Sequence, residues 1–276
     1  MTIQSRTRQP EPRTRKLEPE NTNLKMTNKV SLEVCANSVT SAVAAQEGGA
    51  TRVELCENLK EGGTTPSHGQ ILMARKLLHI KLFVLIRPRA GDFLYTNLEY
   101  DIMMADIRYC IDVGCDGVVI GILHADGTID KERCIEMVRL AKQWGLGVTF
   151  HRAFDMCKDH YKALEDIIEI GCDRILTSGG KSTAMEGVTV LNHLVEKAAG
   201  RISIMPGAGV NEANVADLVR FTKVTEVHSS ARIPVHSKME YHNDHILMSD
   251  APGDEYTTDV TGVERVKKLI ELANGN

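Results

Sequence analysis

From Val30 onward, short apolar runs alternate with longer stretches whose apolar residues recur at helical spacing. The runs predict strands at Val30–Cys35, Arg52–Cys56, Leu82–Arg87, Gly117–Gly121, Gly147–His151, Arg174–Thr177, Ile202–Met205 and Thr225–Ser229. The stretches between them predict helices over Ser38–Glu47, Ser67–Leu78, Asn97–Val113, Asp130–Trp144, Tyr161–Ile170, Ala184–Ala199, Glu212–Phe221 and Val260–Ala273. End signals agree. Ser38 and Asn211 are capping residues, and Gly48, Gly114, Gly145, Gly171 and Gly200 each stand where a helix must stop. Strict β–α alternation implies a parallel sheet covered by helices, and eight repeats imply closure into an α/β, (β/α)8 TIM barrel. An open doubly wound sheet is the alternative, but no GxGxxG turn follows the first strand.

Residues 1–28 break the pattern. They hold almost no large apolar side chains and several arginines, too little to bury against the entropy of ordering. A disordered arm is expected there, with residues 29–276 forming one domain. The chain has 276 residues, a size that suits a single barrel of about 250. A net charge of -4 gives no basic footprint for nucleic acid, and no apolar run approaches the ~18 residues a membrane helix requires. Seven cysteines, an odd number without a signal-like leader, point to free thiols in a reducing compartment.

The candidate chemistry sits at strand ends. Leu32-Glu33-Val34-Cys35 and Val53-Glu54-Leu55-Cys56 repeat one pattern, apolar-Glu-apolar-Cys, 21 residues apart. In a strand, Glu and Cys two apart share a face. If the two strands are neighbours, two carboxylates and two thiols converge on one patch, costly to bury without a partner. Glu33, Glu54, His151 and His228 all have the parity of inward positions, where branched apolar residues are expected. With Arg87 they form a candidate acid/base set at the C-terminal mouth, where such barrels carry their sites.

Two chemistries fit that mouth. Cys35 and Cys56, on strands about 4.8 Å apart, suit a soft cation such as Cu(I), or zinc. Alternatively, a small phosphorylated or carboxylated metabolite binds at the glycine-rich turns Thr177-Ser178-Gly179-Gly180 and Gly207-Ala208-Gly209. There Ser178, Gly207 and Gly209 offer backbone N–H groups, and Arg89 and Arg152 add charge. A scaffold that binds a protein partner is a third reading. Cys110 and Cys115 lack a second pair at zinc-finger spacing and read as helix and turn packing. The histidines from His236 to His245 read as a surface loop, and Glu61–Pro66 as a turn able to cover the mouth.

These stretches resemble the CutC family of copper homeostasis proteins. The resemblance is carried by Gly49-Ala50-Thr51-Arg52-Val53-Glu54-Leu55-Cys56, Glu61-Gly62-Gly63-Thr64-Thr65-Pro66-Ser67, Ile86-Arg87-Pro88-Arg89, Thr149-Phe150-His151-Arg152-Ala153-Phe154-Asp155 and Glu226-Val227-His228-Ser229-Ser230. It implies a cytoplasmic TIM barrel associated with copper handling, and a homo-oligomer, dimer or tetramer. It implies that Cys35 and Cys56 are the Cu(I) ligands. Ala90 and His242 depart from residues common in the family, glycine and arginine.

Overall fold

The computed structural model describes residues 29–243, 245, 246, 248 and 255–275, and the predicted arm at 1–28 lies outside them. Eight parallel strands alternate with eight helices: β1 Ser31–Ala36, α1 Val39–Glu47, β2 Arg52–Leu55, α2 His68–Leu77, β3 Lys81–Leu85, α3 Asn97–Val113, β4 Gly117–Ile120, α4 Lys131–Gln143, β5 Gly147–Phe150, α5 His160–Ile170, β6 Arg174–Thr177, α6 Val188–Ala198, β7 Ser203–Pro206, α7 Val215–Thr222, β8 Glu226–Ser229 and, last in the chain, α8 Val263–Ala273. The strand order is β7-β6-β5-β4-β3-β2-β1-β8, and β7 lies beside β8, so the sheet is a nearly closed barrel. The predicted α/β TIM barrel is the observed one.

Side chains alternate between two cores. Outward residues such as Leu32, Val34, Val53, Leu55, Leu82 and Val84 pack under the helices in one continuous cluster. Inward residues Cys35, Cys56, Phe83, Leu85 and Val119 form a separate, smaller cluster inside the barrel. Phe83 fills the lower barrel because its neighbours lack side chains: it lies level with Gly117, which lies level with Gly147. A Cβ on either glycine would collide with the Phe83 ring. Above that ring lie two guanidinium groups, Arg52 and Arg174, each 5.1 Å from its centroid.

Helix ends follow the local chemistry. Ser38 accepts from Ser41 N, Thr96 and Glu99 form a reciprocal capping box, and Gly114 and Gly171 end their helices in the left-handed region. One unit escaped the sequence pattern. Between β8 and α8 stands an antiparallel hairpin, β9 Arg232–His236 with β10 Thr257–Thr261. His236 therefore belongs to a strand rather than a loop, and Val260 and Thr261 belong to β10 rather than to the last helix. The hairpin is mostly exposed and carries no strong alternation to reveal it.

Gly117 has no left-handed backbone to protect, so Gly117→Ala tests the overlap with Phe83 alone. The expected loss is about 1–3 kcal/mol, the usual cost of overpacking, read as a lower urea midpoint. An unchanged midpoint would contradict the packing described.

Candidate functional site

Strands β1, β2 and β8 build the site. The register sets Glu33 level with Arg52 on one side and with His228 on the other, and Cys35 level with Glu54. The repeated motifs are thus staggered by one inward position. Cys35 faces a carboxylate, and Cys56 stands one step higher. The thiols still meet: Cys35 Sγ and Cys56 Sγ are 3.3 Å apart, both buried, and Cys56 Sγ also lies 3.6 Å from the Ala36 carbonyl.

His228 is held between two acids. Its Nδ1 lies 2.8 Å from Glu33 Oε1, and its Nε2 lies 3.7 Å from Glu54 Oε2. Beneath it runs a buried ion network. Arg52 Nε donates to Glu33, Arg52 Nη2 donates to Glu226 at 2.5 Å, and Arg174 Nε donates to Glu226 at 3.2 Å. Ligand atoms of Cys35, Glu54 and His228 all lie within 4.8 Å of one another, a thiol, a carboxylate and an imidazole placed to share one ion.

The protonation states follow from these contacts. Burial favours neutral Glu33, but the charge of Arg52 and the hydrogen bond with His228 outweigh it and bring the carboxyl down to about 2. Burial likewise opposes charge on His228, yet Cys35, Glu33 and Glu54 overcome it and raise the imidazole well above its usual range. Glu54 is raised by burial, with the charge of His228 only partly offsetting this. The hydrogen bond with Cys56, then burial, lifts the Cys35 thiol well above its ordinary value. At neutral pH the resting site is an ionised Glu33, a protonated His228 and a neutral Cys35 thiol.

Above this cluster opens a cavity of about 350 Å³. Cys35, Glu54, Cys56, His151, Arg152, His228 and Gly209 line it, with apolar walls from Leu85, Phe93, Leu176 and Val210. Other predicted residues lie elsewhere. Glu33 sits below the cavity, with its oxygens engaged by Arg52 and His228. Arg87 spends its guanidinium on the carbonyls of Glu61, Gly63 and Gly91, tying together the loops after β2 and β3. Arg89 turns outward to Glu99, Asp92 and Leu94. Gly207 gives up a side chain because a Cβ would strike Leu176 and crowd His228. At the turn after β6, the donors expected for an anion are already taken. Asp155 accepts from Ser178 N at 3.1 Å, Ser178 Oγ at 3.0 Å and Gly180 N at 3.0 Å. An internal carboxylate occupies that cup, and Arg152 Nε closes on it at 2.8 Å.

Cys110 and Cys115 are buried at the C-terminal end of α3, and no metal-ligating group among the described residues includes them. His242 stacks on Tyr256 with ring centroids 3.9 Å apart.

The sequence model of the CutC family matches residues 30–233. The chain belongs to the CutC family. A CutC family protein of Bacteroides fragilis is 51% identical over 241 residues, 87% of this chain and 95% of the relative. One from Chromobacterium violaceum is 49% identical over 240 residues, 87% of this chain and 96% of that protein. Among solved structures, a candidate copper homeostasis protein CutC from Streptococcus agalactiae aligns with TM-score 0.69 and 36% identity, covering 73% of this chain and 98% of that one. A thiamine phosphate pyrophosphorylase from Pyrococcus furiosus aligns with TM-score 0.54 at 15% identity, covering 90% of this chain and 97% of that one. At that identity the likeness shows the barrel alone.

Sequence reasoning missed Arg52, Arg174 and Glu226, the base of the CutC mouth. Their parity is inward, but charged residues at strand starts read as solvent-facing edges. Removing Arg52 takes a cation from two carboxylates at once, leaving Glu33 with His228 and Glu226 with Arg174. Arg52→Met is expected to cost about 3–5 kcal/mol by urea unfolding, with Glu33→Gln in the same chain restoring part of it. Equal stability of Arg52→Met and the parent would contradict the network's role.

Proposed function

We propose that the barrel mouth binds Cu(I) through Cys35 and Cys56, and that the protein serves copper homeostasis in the cytoplasm. The observation that carries this reading is the buried thiol pair 3.3 Å apart at the floor of an open cavity. Two sulfurs form a soft donor set, and soft monovalent copper prefers it over the oxygen-rich surroundings. That separation is less than two metal–sulfur bonds of about 2.3 Å each. The side chains therefore part slightly, or the ion sits off the line between them.

Glu54 and His228 stand on the Cys35 side of the pair, within reach of the same ion. Loading replaces thiol protons with the metal, and the raised pKa of Cys35 keeps that thiol protonated until copper arrives. The name carried by the Streptococcus agalactiae relative supports a copper role. No helix among the described residues is long and apolar enough to cross a membrane, which fits a cytoplasmic setting. Exposed apolar residues on α2 and α3, among them Leu72, Met73, Leu98 and Ile102, support association with further copies.

Competition with a Cu(I) chelator of known strength tests the reading on reduced protein. The parent is expected to bind one ion tightly. Cys35→Ser with Cys56→Ser is expected to lose more than about a hundredfold in affinity, beyond the 10–100-fold typical of supporting residues. Undiminished binding by the double variant would overturn the cysteine site.

A further inference from the structure

We infer that the same cavity receives a small organic molecule through an acyl oxygen, carbonyl or carboxylate, that accepts a hydrogen bond from His151 Nε2–H. This reading does not depend on copper. A volume of about 350 Å³ is far more than an ion fills and lies in the range of small-ligand sites, apolar walls with a few placed polar groups.

His151 is the polar group set apart. It directly follows β5, is 4% exposed and lines the cavity. Ala153 N–H donates to its Nδ1 at 3.1 Å, so Nδ1 is an acceptor and the neutral ring carries its proton on Nε2. That Nε2 is buried with no partner among the described residues. A buried donor left unmet is unfavourable, and a ligand oxygen removes that penalty.

The surroundings fix both the ring and its charge. The Cε1 edge lies over Gly121, where a Cβ would come within 2.5 Å, so only glycine admits the imidazole. Phe93 packs at a centroid distance of 5.0 Å and offers an apolar face to the ligand's body. Burial, then the positive charge of Arg87, lowers the ring to about 3. It remains a neutral donor at physiological pH, and the same charge favours an oxygen with negative character. In this reading His151 acts as a hydrogen-bond donor, a role distinct from the acid/base one expected for it from sequence.

The test uses full-length, reduced, metal-free protein carrying isotope-labelled histidine. The probes are benzamide, benzoate and toluene, which share a ring and differ in the acceptor. Benzamide or benzoate is expected to bind at millimolar concentration and to shift the His151 Nε2–H resonance. His151→Phe should weaken that binding about tenfold, the equivalent of one hydrogen bond, leave toluene unaffected, and His151→Gln should restore part of it. Preference for benzamide identifies a neutral carbonyl as the partner, and preference for benzoate a carboxylate. If neither acyl probe binds, or if His151→Phe binds them as the parent does, the inference falls. Should His151→Phe fail to fold, an unmoved Nε2–H resonance in the parent overturns it equally.

Discussion

Below its mouth a nearly closed barrel leaves little route to water for an inward side chain, and the ion network around Arg52 answers that constraint. Its guanidinium lies above Phe83, bound to Glu33 on one side and Glu226 on the other. Each carboxylate has a cation and each cation a carboxylate, the only condition under which charge is tolerable at this depth. Everything above the network inherits its geometry. Glu33 is ionised because Arg52 holds it, and an ionised Glu33 orients His228. His228 then faces Glu54 and Cys35, and those define the floor of the mouth.

Two regions of that mouth differ in chemistry. Around β1, β2 and β8 lie thiols, a carboxyl with raised pKa and a cationic imidazole, the set proposed to take up a soft metal. His151, directly after β5, is a neutral donor beside Phe93 with no partner among the described residues. The glycine-rich turn after β6 resembles an anion cup in sequence, yet Asp155 fills it and makes it a brace between two loops. The same logic assigns Arg87 to loop bracing, since three carbonyls already surround its guanidinium.

Much of this was legible in the sequence because strand and helix periods differ so sharply. Alternation located all eight barrel strands to within a residue or two, and parity placed Glu33, Cys35, Glu54, His151 and His228 inside. What parity cannot supply is register. Nothing in the two Glu-x-Cys motifs says that one is displaced, so that Cys35 meets Glu54. Parity is equally silent on which arginine turns inward: Arg52, buried, and Arg174, half-buried, sit at strand starts and pair with partners distant in sequence. The β9–β10 hairpin escaped because an exposed two-stranded unit has no buried face to impose alternation.

The central claim is that sulfur, not oxygen, receives the metal at this mouth. X-ray absorption at the copper edge on protein loaded with one equivalent of Cu(I) examines it directly. A nearest shell dominated by two sulfur scatterers is the predicted result. A shell of oxygen and nitrogen alone would contradict it, leaving Cys35 and Cys56 as a packed thiol pair beneath a cavity built for an organic ligand.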